Sequence, residues 1–168
     1  ASAVFWIFTL ASISVNSWFN LYRDAFSDLG GSRARDPWIY NLGLVTSSIF
    51  IELLSIRIVL TARNKLEVVS GSYLSIAGVF LTLIAVYPAG TRPHVFVSTW
   101  FFIQAFLGVL LHGIAVISRD RVFSILTIII FTLALAGALV DWPSAACLET
   151  YEILLLTLYT TLYAVRSS

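Results

Sequence analysis

The feature that most constrains this fold is a succession of long apolar segments, each ended by a short polar interval. Hydrophobic residues make up 59% of the 168 positions and charged residues only 11%, whereas soluble domains carry about 25% charged residues. So few charges cannot cover a water-exposed surface, and we therefore expect the bilayer to be the solvent of this chain.

Six apolar segments have the length and composition of membrane spans. The first is somewhat short, and the fifth is the most uniformly apolar, which favours a position against lipid. The predicted fold is all-α: one domain, a polytopic membrane protein built as a compact bundle of six transmembrane helices with short loops and one longer outer loop. The expected spans are residues 3–19, 38–62, 70–87, 94–118, 122–140 and 148–165.

The longer loop, residues 20–37, is the largest polar interruption in the chain. The formal charges of its three Arg and three Asp cancel, and Phe26 and Leu29 are available for partial burial. These residues predict a short interfacial helix that ends at Gly30-Gly31.

The basic residues give a weak orientation signal. With the N-terminus inside, five basic residues lie on the inner side (Arg63, Lys65, Arg119, Arg121, Arg166) and four on the outer side (Arg23, Arg33, Arg35, Arg92). Because Lys and Arg favour the cytoplasmic side, we expect a multi-pass protein of the cell membrane with both termini cytoplasmic. The longer loop then lies on the outer face.

Polar residues inside the second and fourth spans are candidates for ligand binding, because ionisable groups at membrane depth are costly and usually face the bundle interior. Helical periodicity places them on one face of each span, with Gln104 at the edge of its face. We expect them to line a polar cavity between these two spans, open to the outer face. The candidates are Asn41, Ser48 and Glu52 in the second span and Ser98, Gln104 and His112 in the fourth.

Glu52 and His112 are expected at similar depths, so the two side chains are able to pair. Two interpretations stay open: hydrogen bonding that holds helices together, and a transport or proton pathway. In the third span, Gly71, Ser75 and Gly78 form a stripe of small residues that continues to Thr82. This stripe favours close helix packing inside the bundle over a dimer contact, and the oligomeric state stays open.

Asp28 and His94 are the catalytic candidates, because a carboxylate beside a histidine is able to act in general acid–base chemistry. The alternative is that Asp28 caps a turn and that His94 merely opens the fourth helix. Asp141, Glu149 and Glu152 are expected near the same surface. Neither a Gly-x-Ser-x-Gly nor a His-Glu-x-x-His motif is present, so binding or structure is favoured over catalysis.

Several classes of function are disfavoured. Cys147 is the single cysteine, and His94 and His112 lie about 27 Å apart along one helix, so we expect no metal site and no cofactor. The net charge of +1 argues against a nucleic-acid partner. Lys65 falls in a loop, which excludes a retinal-type Schiff base within a span. Membrane lipids are the expected partners.

Short motifs in the first half of the chain carry a family resemblance. Residues 27–30 read Ser-Asp-Leu-Gly, residues 41–44 read Asn-Leu-Gly-Leu, Tyr87-Pro88 ends the third span, and His94 opens the fourth. Mainly over residues 15–100, the chain resembles the prokaryotic six-span family called domain of unknown function 998, grouped with membrane proteins of the FRAG/DRAM/SFK type. The resemblance implies six spans, cytoplasmic termini and an archaeal source, but no reaction.

The leading hypothesis is an integral membrane protein that binds a lipid or small amphiphile, or has a structural role in the membrane. One alternative is an intramembrane hydrolase or transferase that acts on lipid headgroups through Asp28 and His94. The other is a transporter or proton pathway through Glu52 and His112.

Overall fold

A computed structural model describes residues 1–167 of the chain, and within this range every regular element is helical. The all-α prediction is therefore confirmed. Five residues of the longer loop form a 3-10 helix, Phe26–Gly30. The α-helices are α1 Ser2–Val15, α2 Trp38–Leu60, α3 Lys65–Val86, α4 His94–Val116, α5 Arg121–Ala138 and α6 Ala145–Ser167.

Four of these helices, α2 to α5, are long and apolar enough to cross a membrane, which marks the chain as a membrane protein. The 14 residues of α1 span only about 21 Å, less than the hydrocarbon thickness of about 30 Å. The 23-residue α6 has the length, but Glu149 and Glu152 together with its Thr and Tyr residues make it less apolar than the other four.

The first helix ends at Val15, four residues before the predicted end. Asn16 turns the chain there: its Nδ2 donates to Ser12 O at 2.8 Å, and its Oδ1 accepts from the Arg35 N–H at 2.7 Å. A buried amide with these partners holds both ends of the longer loop together, so the helix cannot continue to residue 19.

The third helix begins at Lys65, five residues before the predicted start. Asn64 is its N-cap, since the Asn64 side chain accepts a hydrogen bond from the Glu67 N–H at 3.0 Å. The charged residues at the start of this segment are therefore helical, although hydropathy placed them in the loop.

Each helix packs against the next one in the chain, and α6 closes the bundle against α1, α4 and α5. The third helix contacts both α2 and α4 extensively and separates much of their surfaces. The small-residue stripe allows this close approach: Ser55 Oγ donates to Gly71 O at 2.7 Å, and a Cβ added to Gly78 would lie 2.5 Å from Glu52 Oε1. The prediction of tight packing within the bundle is confirmed.

The fifth helix lies at the periphery, as predicted. It packs against α4 and α6 and exposes Ile125, Ile129 and Leu133 on its outer side. Such a surface is unfavourable in water but suited to lipid chains.

The longer loop folds over one end of the bundle. Phe26 and Leu29, in the 3-10 helix, are 2% and 0% exposed. The Phe26 ring packs edge-on against Phe5 and Trp6 of α1 and stacks on Phe19, with centroid distances of 5.7 to 6.2 Å. The predicted short helix ending at the glycines is confirmed, and its apolar side chains anchor it to the bundle.

Candidate functional site

Ser27 and His94 form the polar centre of the loop-covered end. His94 Nδ1 lies 2.8 Å from the Tyr87 carbonyl oxygen, and His94 Nε2 lies 3.0 Å from Ser27 Oγ. A carbonyl oxygen only accepts, so Nδ1 of the neutral ring carries the proton, and Nε2 accepts from the Ser27 hydroxyl. The arrangement of a hydroxyl, an imidazole base and an orienting acceptor is one that activates a nucleophile.

Asp28 does not join His94. Its Oδ2 accepts a hydrogen bond from the Ala25 N–H at 2.8 Å, which caps the 3-10 helix. The pairing of Asp28 with His94, on which the catalytic hypothesis depended, is replaced by a pairing of Ser27 with His94. The partner of His94 is therefore the residue one position before Asp28. The reason is that the cap turns the Asp28 carboxylate back towards the backbone of its own loop.

The start of α6 fixes the loop from the other side. The Phe26 N–H donates to Glu149 Oε2 at 2.8 Å, and the Ala146 N–H donates to Asp24 O at 3.1 Å. These contacts join the residues on either side of Ala25 to the first turn of α6. Ser27 is thereby held at 5% exposure facing α4.

Asp24 organises the segment that leads to this site. Arg23 donates from Nε to Asp24 Oδ1 at 3.0 Å, and the Asn20 N–H donates to Asp24 Oδ2 at 2.7 Å. The hydrogen bond from the Arg23 guanidinium, with help from the Asn20 amide, holds the pKa of the Asp24 carboxyl below its usual value. The charged form of Asp24 is therefore the one that stabilises the loop.

A small cavity of about 30 Å³ adjoins the Ser27–His94 pair. Ser98 and Glu149 supply further polar groups to its wall. Its apolar wall includes Phe5, Leu81, Phe101 and Ile153, which also line a larger apolar cavity of about 80 Å³ deeper in the bundle. We call the larger cavity the central slot; its walls come from α1, α2, α3, α4 and α6.

The central slot differs from the polar cavity that the sequence predicted between the second and fourth spans. Residues of α2 and α4 do line it, but α3 adds a third wall, and the lining is largely apolar, with Ile51, Ala77, Leu81 and Phe101 among its members. None of the six polar candidates lines the slot; Ser98 and His112 line other cavities.

The polar candidates on α2 use their side chains in local packing. Each has a partner in the longer loop or on α3, so this face of α2 is turned away from α4. The contacts are Asn41 Nδ2 donating to Gly30 O (3.1 Å), Thr82 Oγ1 donating to Ser48 Oγ (2.8 Å) and Ser75 Oγ donating to Glu52 Oε2 (2.7 Å).

The candidates on α4 lie at different depths and have different surroundings. Ser98 Oγ donates to His94 O at 2.9 Å within its own helix, and Gln104 Oε1 is buried without a hydrogen-bond partner among the described residues. His112 Nδ1 lies 2.7 Å from the Tyr159 hydroxyl of α6. The pairing of His112 with Glu52 is therefore not formed, and the ligand-binding roles of these residues stay predictions.

Ser27 was missed by the sequence reasoning. Its hydroxyl is next to Asp28 in the segment already singled out, but serine carries no charge and matches no nucleophile motif. The useful signal would have been the position of Ser27 between the apolar residues Phe26 and Leu29. If these two side chains are buried, the Ser27 hydroxyl is carried into the bundle with them.

Comparison with known proteins identifies the family of the chain. No curated protein and no solved structure matches the chain. Residues 1–166 match the family described as "Protein of unknown function (DUF998)". Since this match covers nearly the whole chain, it extends the resemblance first visible in residues 15–100. The chain belongs to the DUF998 family.

Proposed function

We propose that this chain is a six-span membrane protein that binds a slender amphiphile, with the apolar chain in the central slot and the polar group near Ser27 and His94. The observation that carries the proposal is the succession of cavities: the wall residues Phe5, Leu81, Phe101 and Ile153 of the apolar slot also line the small cavity beside Ser27 and His94. A ligand with one apolar and one polar end matches this order.

Exposed apolar side chains support six spans. The outer surfaces of α1 and α6 resemble those of the four long apolar helices: Ile7 and Leu10 are 65% and 60% exposed, and Leu154 and Leu158 are also exposed. The exposure of such side chains is unfavourable in water but favourable in lipid. A short α1 is accommodated by local thinning of the bilayer.

The size of the slot limits the ligand. Drug-sized molecules occupy pockets of about 300 to 1,000 Å³, whereas the slot measures about 80 Å³. A slot of this size encloses only a few methylene groups, which favours part of a single alkyl chain over a ring system. Each buried methylene contributes about 0.8 kcal/mol, so affinity should increase with chain length until the slot is full.

Binding is tested with delipidated protein and neutral monoacylglycerols of 8 to 16 carbons, followed by native mass spectrometry. Ala105→Leu should fill the slot, since Ala105 lines it and is 3% exposed, and should lower retention of monoacylglycerol at least about tenfold. The matched control is Ala136→Leu, which adds the same side chain on the exposed surface of α5.

Equal retention by wild type, Ala105→Leu and Ala136→Leu would contradict binding in the slot. A thermal unfolding scan of each variant verifies that Ala105→Leu is folded. If it is not, Ala77→Val, a smaller change in the same slot, takes its place.

A second function, hydrolysis of an ester in the bound amphiphile, is favoured by the hydrogen bond between Ser27 and His94. In this scheme Ser27 Oγ attacks the acyl carbon while His94 Nε2 takes its proton, and the histidine then protonates the departing alkoxide. Water repeats the two steps and releases the acid, so the net reaction consumes one ester and one water and yields one acid and one alcohol.

Hydrolysis is tested with a fluorogenic monoacyl ester in detergent micelles. Ser27→Ala should abolish turnover and labelling by a fluorophosphonate probe, whereas Ser98→Ala, at a position that lines the same small cavity, should retain both. If Ser27→Ala turns over the ester as fast as wild type, Ser27 is not the nucleophile. If wild type itself has no turnover, the hydrolysis proposal is contradicted and only the binding proposal stands.

A further inference from the structure

The end of the bundle opposite Ser27 and His94 contains a second, charged cavity. It has a volume of about 330 Å³ and lies where α2 and α4 end, α3 and α5 begin and α6 reaches its last turns. Three arginines line it, Arg63, Arg119 and Arg166, against two carboxylates, Glu67 and Asp120. We call it the arginine pocket.

Both carboxylates are already engaged by the fold. Glu67 is 5% exposed, and its Oε1 is 2.7 Å from Asn64 Nδ2 and 2.7 Å from Arg119. It therefore fixes the Arg119 guanidinium at the wall rather than offering a free negative charge.

Asp120 has a similar double role at the start of α5. Its Oδ1 accepts from the Phe123 N–H at 3.0 Å as the N-cap of α5, and its Oδ2 pairs with Arg166. The Arg166 guanidinium also lies over the Phe123 ring, 5.2 Å from its centroid. These contacts hold the second arginine in a defined position on the pocket wall.

Hydrogen-bond donors therefore outnumber acceptors on this wall. A guanidinium has five N–H donors, and the carboxylates engage only part of those on Arg119 and Arg166. Arg63 is exposed and forms no ion pair with any residue of the described range 1–167. A planar donor fork suits the tetrahedral oxygens of a phosphate better than it suits chloride.

We propose that the arginine pocket binds a phosphate group, with Arg63, Arg119 and Arg166 as the recognising residues. The position at one end of a membrane bundle allows two sources of this group: the headgroup of an anionic lipid or a soluble phosphate ester. The same chemistry serves both, because in each case the guanidinium groups contact only the phosphate oxygens. This site is separate from the central slot and does not depend on its occupancy.

Two arms of one experiment distinguish the sources. In the first, protein in a neutral detergent is titrated with inorganic phosphate at constant ionic strength, and its thermal midpoint is followed. In the second, protein is reconstituted in phosphatidylcholine vesicles with a minority of phosphatidylglycerol, and the retained lipid is counted by native mass spectrometry.

The variants are Arg63→Gln and Arg92→Gln. Both arginines are exposed, but Arg92 lies in the loop before α4, at the other end of the bundle. Loss of one charge-assisted contact should weaken binding about tenfold in Arg63→Gln and leave Arg92→Gln equal to wild type. Arg63→Lys, which keeps the charge without the planar fork, should fall between them.

A loss in the vesicle arm alone assigns the pocket to a lipid headgroup, and a loss in the phosphate arm assigns it to a soluble phosphate. If Arg63→Gln and Arg92→Gln behave alike in both arms, the proposal is overturned. Retention of neutral monoacylglycerol, measured on the same variants, reports separately on the central slot.

Discussion

Ser27 Oγ and His94 Nε2 lie 3.0 Å apart although 67 positions separate them in the chain. The contact ties the loop between α1 and α2 to the first turn of α4, while the other ring nitrogen is held by the Tyr87 carbonyl. One imidazole thus joins three segments that cover the same end of the bundle. Its effect on the loop is measurable whether or not the pair is catalytic.

Replacement of His94 by Ala should release the loop. Both ring hydrogen bonds disappear, and we expect a loss of about 1 to 3 kcal/mol in the free energy of unfolding. Limited trypsin digestion should cut faster after Arg33, which is exposed in this loop. Ser98→Ala, one turn along α4, is the control, and equal cleavage rates in the two variants would show that His94 does not hold the loop.

Phe26→Ala should destabilise the protein strongly. The ring is 2% exposed and contacts Phe5, Trp6 and Phe19, and such a truncation costs about 3 to 5 kcal/mol. The measurement is unfolding in mixed micelles of increasing denaturing detergent. Tyr22→Ala, in the same loop but 71% exposed, should remain near wild type; a similar midpoint for both variants would mean that the loop does not contribute to the core.

Asp24 should make the loop sensitive to acid. The Arg23 guanidinium lowers its folded-state pKa, so its stabilisation is fully present above the unfolded value of about 3.9 and is lost as the pH falls through the lower folded value. The difference in midpoint between wild type and Asp24→Asn should be constant from pH 5 to 8 and shrink below pH 4. The control for the loss of one carboxylate is Asp141→Asn, since Asp141 is an exposed loop residue. If the difference in midpoint between wild type and Asp24→Asn instead grows in acid, the charged form of Asp24 is not the one that stabilises the loop.

Glu52→Gln should be tolerated. Glu52 accepts a hydrogen bond from Ser75 and lies close to Gly78, and a glutamine carbonyl is able to accept in the same place. We expect a change below about 1 kcal/mol, whereas Glu52→Leu leaves the Ser75 hydroxyl without this acceptor and should cost about 1 to 3 kcal/mol. A large loss in Glu52→Gln would instead indicate an ion pair of Glu52. Thermal unfolding of the three proteins in one detergent decides between them.

Cys147 provides a test of orientation. It is a partly exposed free cysteine near the start of α6. Its thiol donates to Leu21 O at 3.3 Å, so it lies at the same end of the bundle as the longer loop. With both termini cytoplasmic, an impermeant maleimide should label it from outside intact cells. Asp141→Cys in a Cys147→Ser background, a more exposed position in the adjacent loop, should label faster, and labelling of both only in inverted vesicles would reverse the topology.

The helical character of the chain and the approximate place of each helix follow from the sequence alone. Long apolar segments need internal hydrogen bonding in lipid, and the polar intervals, prolines and glycines between them mark where helices end. The errors in the helix bounds were local: Asn64 caps α3 and extends it backwards into charged residues, Asn16 stops α1 early, and α6 begins at Ala145, three residues before the predicted start.

The partners of the polar side chains were decided only by the tertiary structure. Helical periodicity placed Asn41, Ser48 and Glu52 on one face, but it contains no information about which helix that face meets, and the glycines of α3 allow α3 to occupy it. The sequence determined a helical membrane protein with a polar, Gly-terminated loop at one end. Packing determined that Ser27 rather than Asp28 meets His94, because a contact across 67 positions depends on how the loop and α4 are brought together.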